Sequence, residues 1–156
     1  MGNVLSGRIL KIINRYAITV PKLRKPGEDM RRVVINMQNY LFADAIAQTL
    51  KNADSDFDVY RVEAYEDVAA HCQLVRPYAL LMEVTGYTQW KLEERLKIRD
   101  EVKRCDPQCK IVLIVDENAE KQLAQRVLQA KKDGLIDNFI YGSISASYLS
   151  AVVDTL

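Results

Sequence analysis

At 156 residues, with 49% hydrophobic and 28% charged side chains and a formal net charge of +1, the chain is sized for one compact domain with an appendage. That length buries a core needing neither disulfides nor metal. No run approaches the ~18 consecutive apolar residues of a membrane-spanning helix, and the composition is that of a soluble globular protein.

The small net charge hides an asymmetry. Residues 1–32 carry eight Lys/Arg against Glu28 and Asp29, and the remainder holds 14 basic and 19 acidic residues. A basic arm on a mildly acidic domain suggests an anionic partner for the arm, while the domain shows no electrostatic footprint for nucleic acid. Three cysteines, Cys72, Cys105 and Cys109, are an odd set with no signal peptide, which suits a reducing cytosol. Cys105 and Cys109 flank the turn Asp106-Pro107-Gln108, and His71 adjoins Cys72. A zinc site needs four well-placed ligands, so no metal and no cofactor are expected.

In chain order, Leu5, Ile9, Ile12, Ile13, Tyr16 and Val20 recur at spacings near three and four, with Arg8, Lys11 and Arg15 between them. This predicts a basic amphipathic helix, with Ile18-Thr19-Val20 leaving a strand open. Pro21, Pro26 and Gly27 then predict a linker, dividing the chain into an arm over 1–30 and a domain over 31–156.

Val33-Val34-Ile35 reads as a first buried strand. Phe42, Ala45, Ile46, Thr49 and Leu50 share one helix face. Residues 57–62 read as a strand, 67–75 as a helix stopped by Pro77, and 78–84 as a third strand, apolar until its end. Leu92, Leu96, Ile98, Val102 and Cys105 mark a longer helix with Glu93, Glu94, Lys97, Asp100 and Lys103 towards solvent. The aliphatic run 111–115, three residues of it β-branched, is too short for an ordinary helix and reads as a strand. Residues 119–132 are helical with Leu123, Val127 and Leu128 inward, and Asp133-Gly134 closes that helix. Phe139-Ile140-Tyr141 is a fifth strand. A last helix buries Leu149, Val152, Val153 and Leu156, with Ser145 or Ser147 as its cap.

Strands apolar on both faces, alternating with amphipathic helices, predict an α/β fold: a doubly wound, five-stranded parallel sheet of the flavodoxin-like kind. In such sheets ligands bind beyond the carboxyl ends of the strands. The residues there are Met37-Gln38-Asn39, Glu83-Val84-Thr85-Gly86, Val115-Asp116-Glu117 and Tyr141-Gly142-Ser143.

From these segments the chain resembles the response-regulator receiver family over residues 31–156. Residues 76–84 are similar to the family's third strand, which ends in the phosphoacceptor aspartate, 110–115 to its fourth and 139–145 to its fifth with the loop that follows. The resemblance implies bacterial two-component signalling in the cytoplasm. It also implies an acidic pair holding Mg²⁺, the acceptor aspartate, a Ser/Thr and a Lys that bind the phosphoryl oxygens. Carried over, the acidic pair falls on Met37 and Gln38, the acceptor on Glu83, the Ser/Thr on Val115 and the Lys on Gly142. All five depart from the pattern. Met37 and Gln38 offer Mg²⁺ no anionic oxygen, Val115 cannot hydrogen-bond a phosphoryl group, and Gly142 brings no charge. Glu83 keeps a carboxylate one methylene longer, either a mimic of the phosphorylated state or a soluble end to a buried strand. Phe139 falls where the family's switch aromatic sits, and plain core is the simpler role for it. Asp116 and Glu117 read as a solvated loop.

The expectation is therefore a non-enzymatic pseudo-receiver that binds a protein partner or dimerises without phosphorylation. The family's pairing face would here present Gln122, Arg126, Gln129, Lys132, Asp137 and Tyr148. The alternatives are a phosphorylatable receiver, or the regulatory part of a longer protein with an ATPase or DNA-binding output. The arm could pack on its own domain, swap onto a neighbour, or touch an anionic membrane. Met1-Gly2-Asn3-Val4-Leu5-Ser6 fits the short myristoylation pattern, a modification not expected in bacteria. No glycine cluster supports nucleotide binding, and His71 reads as a surface helix residue.

Overall fold

The computed structural model describes residues 7, 10–12, 14–15, 30–143 and 146–156. Among the described residues from Arg31 onward, apolar β-branched runs and amphipathic stretches alternate as five strands and five helices. They are β1 (Arg31–Asn36), α1 (Tyr40–Ala53), β2 (Phe57–Arg61), α2 (Val68–Val75), β3 (Ala79–Glu83), α3 (Leu92–Cys105), β4 (Lys110–Val115), α4 (Lys121–Lys132), β5 (Asn138–Tyr141) and α5 (Ala146–Asp154). Single 3₁₀ turns at Tyr65–Asp67 and Thr88–Trp90 precede α2 and α3. All strand pairs are parallel and the order is β2-β1-β3-β4-β5, the expected doubly wound topology.

The two-residue period of the strands divides the core into two layers. Val33, Ile35, Leu81, Val112 and Ile114 pack with Ile46, Leu50, Leu149 and Val153 on one face. Val34, Leu80, Met82, Ile111, Leu113 and Val115 pack with Val68, Ile98, Val102 and Val127 on the other. Each such side chain contributes roughly 1.5–3 kcal/mol on burial, so the central strands anchor the domain. At the opposite end from the site, the Tyr78 hydroxyl donates to the carbonyls of Val153 and Leu156 at 3.1 and 3.0 Å, holding α5 to β3.

Helix ends follow local chemistry. The Asn39 side chain accepts the Phe42 N–H at 3.0 Å and starts α1. Arg76 closes α2 in the left-handed region at φ 48°, and Pro77 prevents continuation. Start at Asn39 sets the inward face of α1 to Ala43, Ile46, Ala47 and Leu50, so Ala45, expected inward, is exposed. Cys105 also departs from expectation: it ends α3 and is exposed, while Cys72 and Cys109 are buried. Among the described residues no helix is long and apolar enough to cross a membrane, and no three His, Cys, Asp or Glu side chains are grouped to hold a metal ion.

Most of the expected arm, its linker, Ser145 and the Met1-Gly2 pattern lie outside the described residues. Residues 7, 10–12, 14 and 15 are helical. Ile12 is 2% exposed and belongs to the core layer containing Val62 and Val68. Arg15 pairs with Asp67 at 2.8 Å, just before α2. These residues pack on their own domain.

His71 is a correction. It is 1% exposed rather than on the surface, because the short α2 turns it under the sheet edge, edge-on to Tyr60 with ring centroids 5.9 Å apart. Burial pulls its pKa down to about 4, opposed in part by Asp67. The unfolded chain therefore takes up this proton near pH 6.5 while the folded chain does not. The stabilisation is complete above pH 6.5 and is lost as pH falls towards 4. Urea unfolding from pH 6.5 to 5 should show a loss of about 2 kcal/mol in the wild type and a much flatter profile in His71→Leu. Parallel profiles for the two proteins would exclude His71 as the source.

Candidate functional site

At the carboxyl ends of the strands lies a cavity of about 320 Å³ lined by Asn39, Phe42, Glu83, Ile114, Asp116, Asn118, Gly142 and Ser143. Of the residues expected here, Glu83 and Gly142 are brought together. Met37 and Val115 are not. Met37 is 6% exposed and packs into the layer with Ile35 and Ile46. Val115 points into the opposite layer, and the β4 residue registered against Glu83 is Ile114. Gln38 contributes its backbone.

Glu83 ends β3 with its carboxylate turned across the neighbouring strand end. Its Oε2 accepts the N–H of Gln38 at 2.8 Å and of Asn39 at 3.3 Å. These amides lie at the entry to α1, where the helix dipole favours negative charge, and the bonds are charge-assisted. The extra methylene of Glu over Asp supplies the reach. One carboxylate oxygen, Oε2, is thus taken up by the loop that follows β1, while Oε1 accepts no hydrogen bond among the described residues and the side chain lines the cavity.

Beneath it lies a group the sequence reading missed. Arg95 of α3 is fully buried, as is Asn36 at the end of β1. The Arg95 guanidinium donates from Nε to the Glu83 carbonyl at 2.7 Å, and to the Asn36 side-chain and main-chain oxygens at 2.6 and 3.3 Å. It also lies 4.4 Å over the Trp90 ring. Asn36 Nδ2 in turn donates to the Val62 carbonyl at 2.8 Å. Burial pulls the guanidinium pKa down to about 9, with the Glu83 charge opposing it. The group remains cationic at neutral pH. The signal was present: Arg95 shares a helix face with Leu92, Ile98 and Val102.

Other expected residues are placed as follows. The Asp116 side chain accepts the N–H groups of Asn118 and Ala119 at 3.0 and 3.1 Å, so this exposed loop residue is committed to a turn while also lining the cavity. Ser143 donates to Glu117. A Cβ on Gly142 would stand in ordinary contact with the Phe42 ring, at 3.8 Å. Phe139 is half-buried, edge-on to Tyr141 at 5.2 Å and below Lys131. The anticipated pairing face is partly used internally. Arg126 pairs with Glu93 of α3, Gln129 bonds Asp133, and Asp137 accepts from Lys103 and from the Ile111 N–H. Lys132 and Tyr148 remain exposed.

Removing one partner of a buried ionic cluster leaves the others unsatisfied. Arg95→Met should therefore lower unfolding stability by about 3 kcal/mol, with a coupling above about 1 kcal/mol to Asn36→Ala in a double-mutant cycle. A loss below about 1 kcal/mol would show that the cluster does not hold the strand ends.

Neither a protein-family profile nor a curated protein matches the sequence. Solved structures do match its fold. The signal receiver domain of a putative Luxo repressor protein from Vibrio parahaemolyticus is 17% identical, over 80% of this chain and 88% of that one, at a TM-score of 0.61. A CheY-like receiver domain protein from Methanospirillum hungatei is 12% identical over 81% and 92%, at 0.64. The response regulator protein TrrA from Thermotoga maritima, in complex with Mg²⁺-BeF, is 12% identical over 81% and 98%, at 0.61. The fold is that of receiver domains.

Proposed function

We propose that the chain is a receiver-like signalling domain of the cytoplasm that acts by binding a protein partner or a second copy of itself, without phosphorylation and without enzymatic activity. The observation that supports this most is the Glu83 carboxylate held by the Gln38 and Asn39 amides. A phosphoacceptor must present a free carboxylate oxygen to phosphorus, beside oxygen ligands for Mg²⁺. Here one of the two oxygens of the acceptor's counterpart is taken by backbone amides. The positions that would serve Mg²⁺ and the phosphoryl oxygens offer a thioether in the core, the aliphatic Ile114 and a glycine beside Phe42.

A pseudo-receiver of this kind keeps the rigid doubly wound scaffold and uses its surface. Exposed Leu41, Tyr40 and Tyr87, at 81%, 55% and 71%, follow strand-end loops and are large apolar groups available to a partner. A phosphorylatable switch is the second reading, and Asp116 favours it by lining the same cavity as Glu83. One of its carboxylate oxygens is already taken by two backbone amides.

Titration with Mg²⁺ and beryllofluoride, followed by backbone amide NMR, separates the two. The proposal predicts no saturable shifts at millimolar ligand. Saturating shifts at Gln38, Glu83 and Asp116 that require Mg²⁺ would establish a working phosphoryl pocket.

A further inference from the structure

A larger cavity, of about 900 Å³, opens between the N-terminal ends of α3 and α4. Its apolar floor is Leu92 and Leu123, which are 5% and 9% exposed, and its walls carry Lys91, Lys121, Glu93 and Glu120 with Arg126. The charges are unevenly engaged. Glu93 pairs with Arg126 across the groove, and Glu120 accepts the Gly86 N–H at 3.0 Å. Both carboxylates are thereby used to join the α3 side of the groove to the α4 side.

Lys91 and Lys121 are exposed and have no hydrogen-bond or ion-pair partner among the described residues. Neither N-cap residue, Lys91 or Glu120, bonds its helix through its side chain. Glu93 and Glu94 stand in the first turn of α3, whereas the first turn of α4 has no acidic residue, so the positive end of α4 faces the groove. Lys91, Lys121 and Arg126 against Glu93 and Glu120 leave the groove a net charge of one positive, above a narrow apolar floor.

We infer that this groove is the docking site for an acidic peptide segment of a partner protein, which sets carboxylates against Lys91 and Lys121 and one apolar side chain on Leu92 and Leu123. The inference rests on the reading of the chain as a partner-binding domain and names the surface and the class of partner. An extended segment suits the groove better than a second copy of the whole domain, because the Glu93–Arg126 and Gly86–Glu120 contacts fix its two walls together. The cavity also falls within the size range of specific ligand sites.

A random dodecapeptide phage library panned on the full chain tests this. Enriched peptides should be acidic with at least one large apolar residue. A synthetic copy of the strongest should shift amides at 85–93 and 118–126, and should weaken by about tenfold or more in Lys91→Glu/Lys121→Glu. Both lysines are exposed, so the variant should fold as the wild type does. Lys132→Glu, on another face, should leave binding unchanged. Enrichment of peptides without acidic bias, binding that survives the double charge reversal, shifts on another surface, or no enrichment would each overturn the groove assignment. A peptide bound elsewhere would still leave the chain a partner-binding domain, whereas the Mg²⁺ and beryllofluoride titration decides that reading independently.

Discussion

The guanidinium of Arg95 ties together the carboxyl ends of β1 and β3, and through Asn36 reaches the residue that follows β2. A buried cation in a parallel sheet would ordinarily be a liability, since removing an ion from water costs several kcal/mol. Here three carbonyl-type contacts, an aromatic face and the nearby Glu83 charge offset that cost. The arrangement places a positive centre at this edge of the sheet, bonded to the ends of β1 and β3.

With Arg95 in place the behaviour of Glu83 follows. Its carbonyl is engaged from below by the guanidinium and its carboxylate from the side by the amides leading into α1. Phe42 stands over Gly142 and Asp116 folds into its own turn. Glu83 and Asp116 each give one carboxylate oxygen to a pair of backbone amides. The site is a polar junction that ties the strand ends to one another.

The fold was legible because both periods are strong in this sequence. The run Ile111–Val115 and the segment ending at Glu83 announce central strands, and the β-α alternation specifies a doubly wound sheet. The strand order and register agree with that reading. Less was legible at the site. Carrying the receiver family's positions over put Met37 and Val115 in the pocket, but a one-residue step moves a strand side chain to the other face, and both lie in the core. His71 was read as a surface group and Arg95 was passed over, because charge and polarity usually mark solvent. Burial overrides that prior only where partners exist, and Asn36 and Trp90 are distant from Arg95 in sequence or look unremarkable alone. The groove of Lys91 and Lys121 needs two helices brought side by side, which no spacing within either one reveals.

The most direct test of the central claim is intact-mass analysis of the full chain after incubation with acetyl phosphate and Mg²⁺, with the protein then mapped for acyl phosphate. The account predicts an unmodified chain under conditions that phosphorylate an ordinary receiver domain handled in parallel. A phosphoryl group recovered on Glu83 or Asp116 in good yield would contradict it.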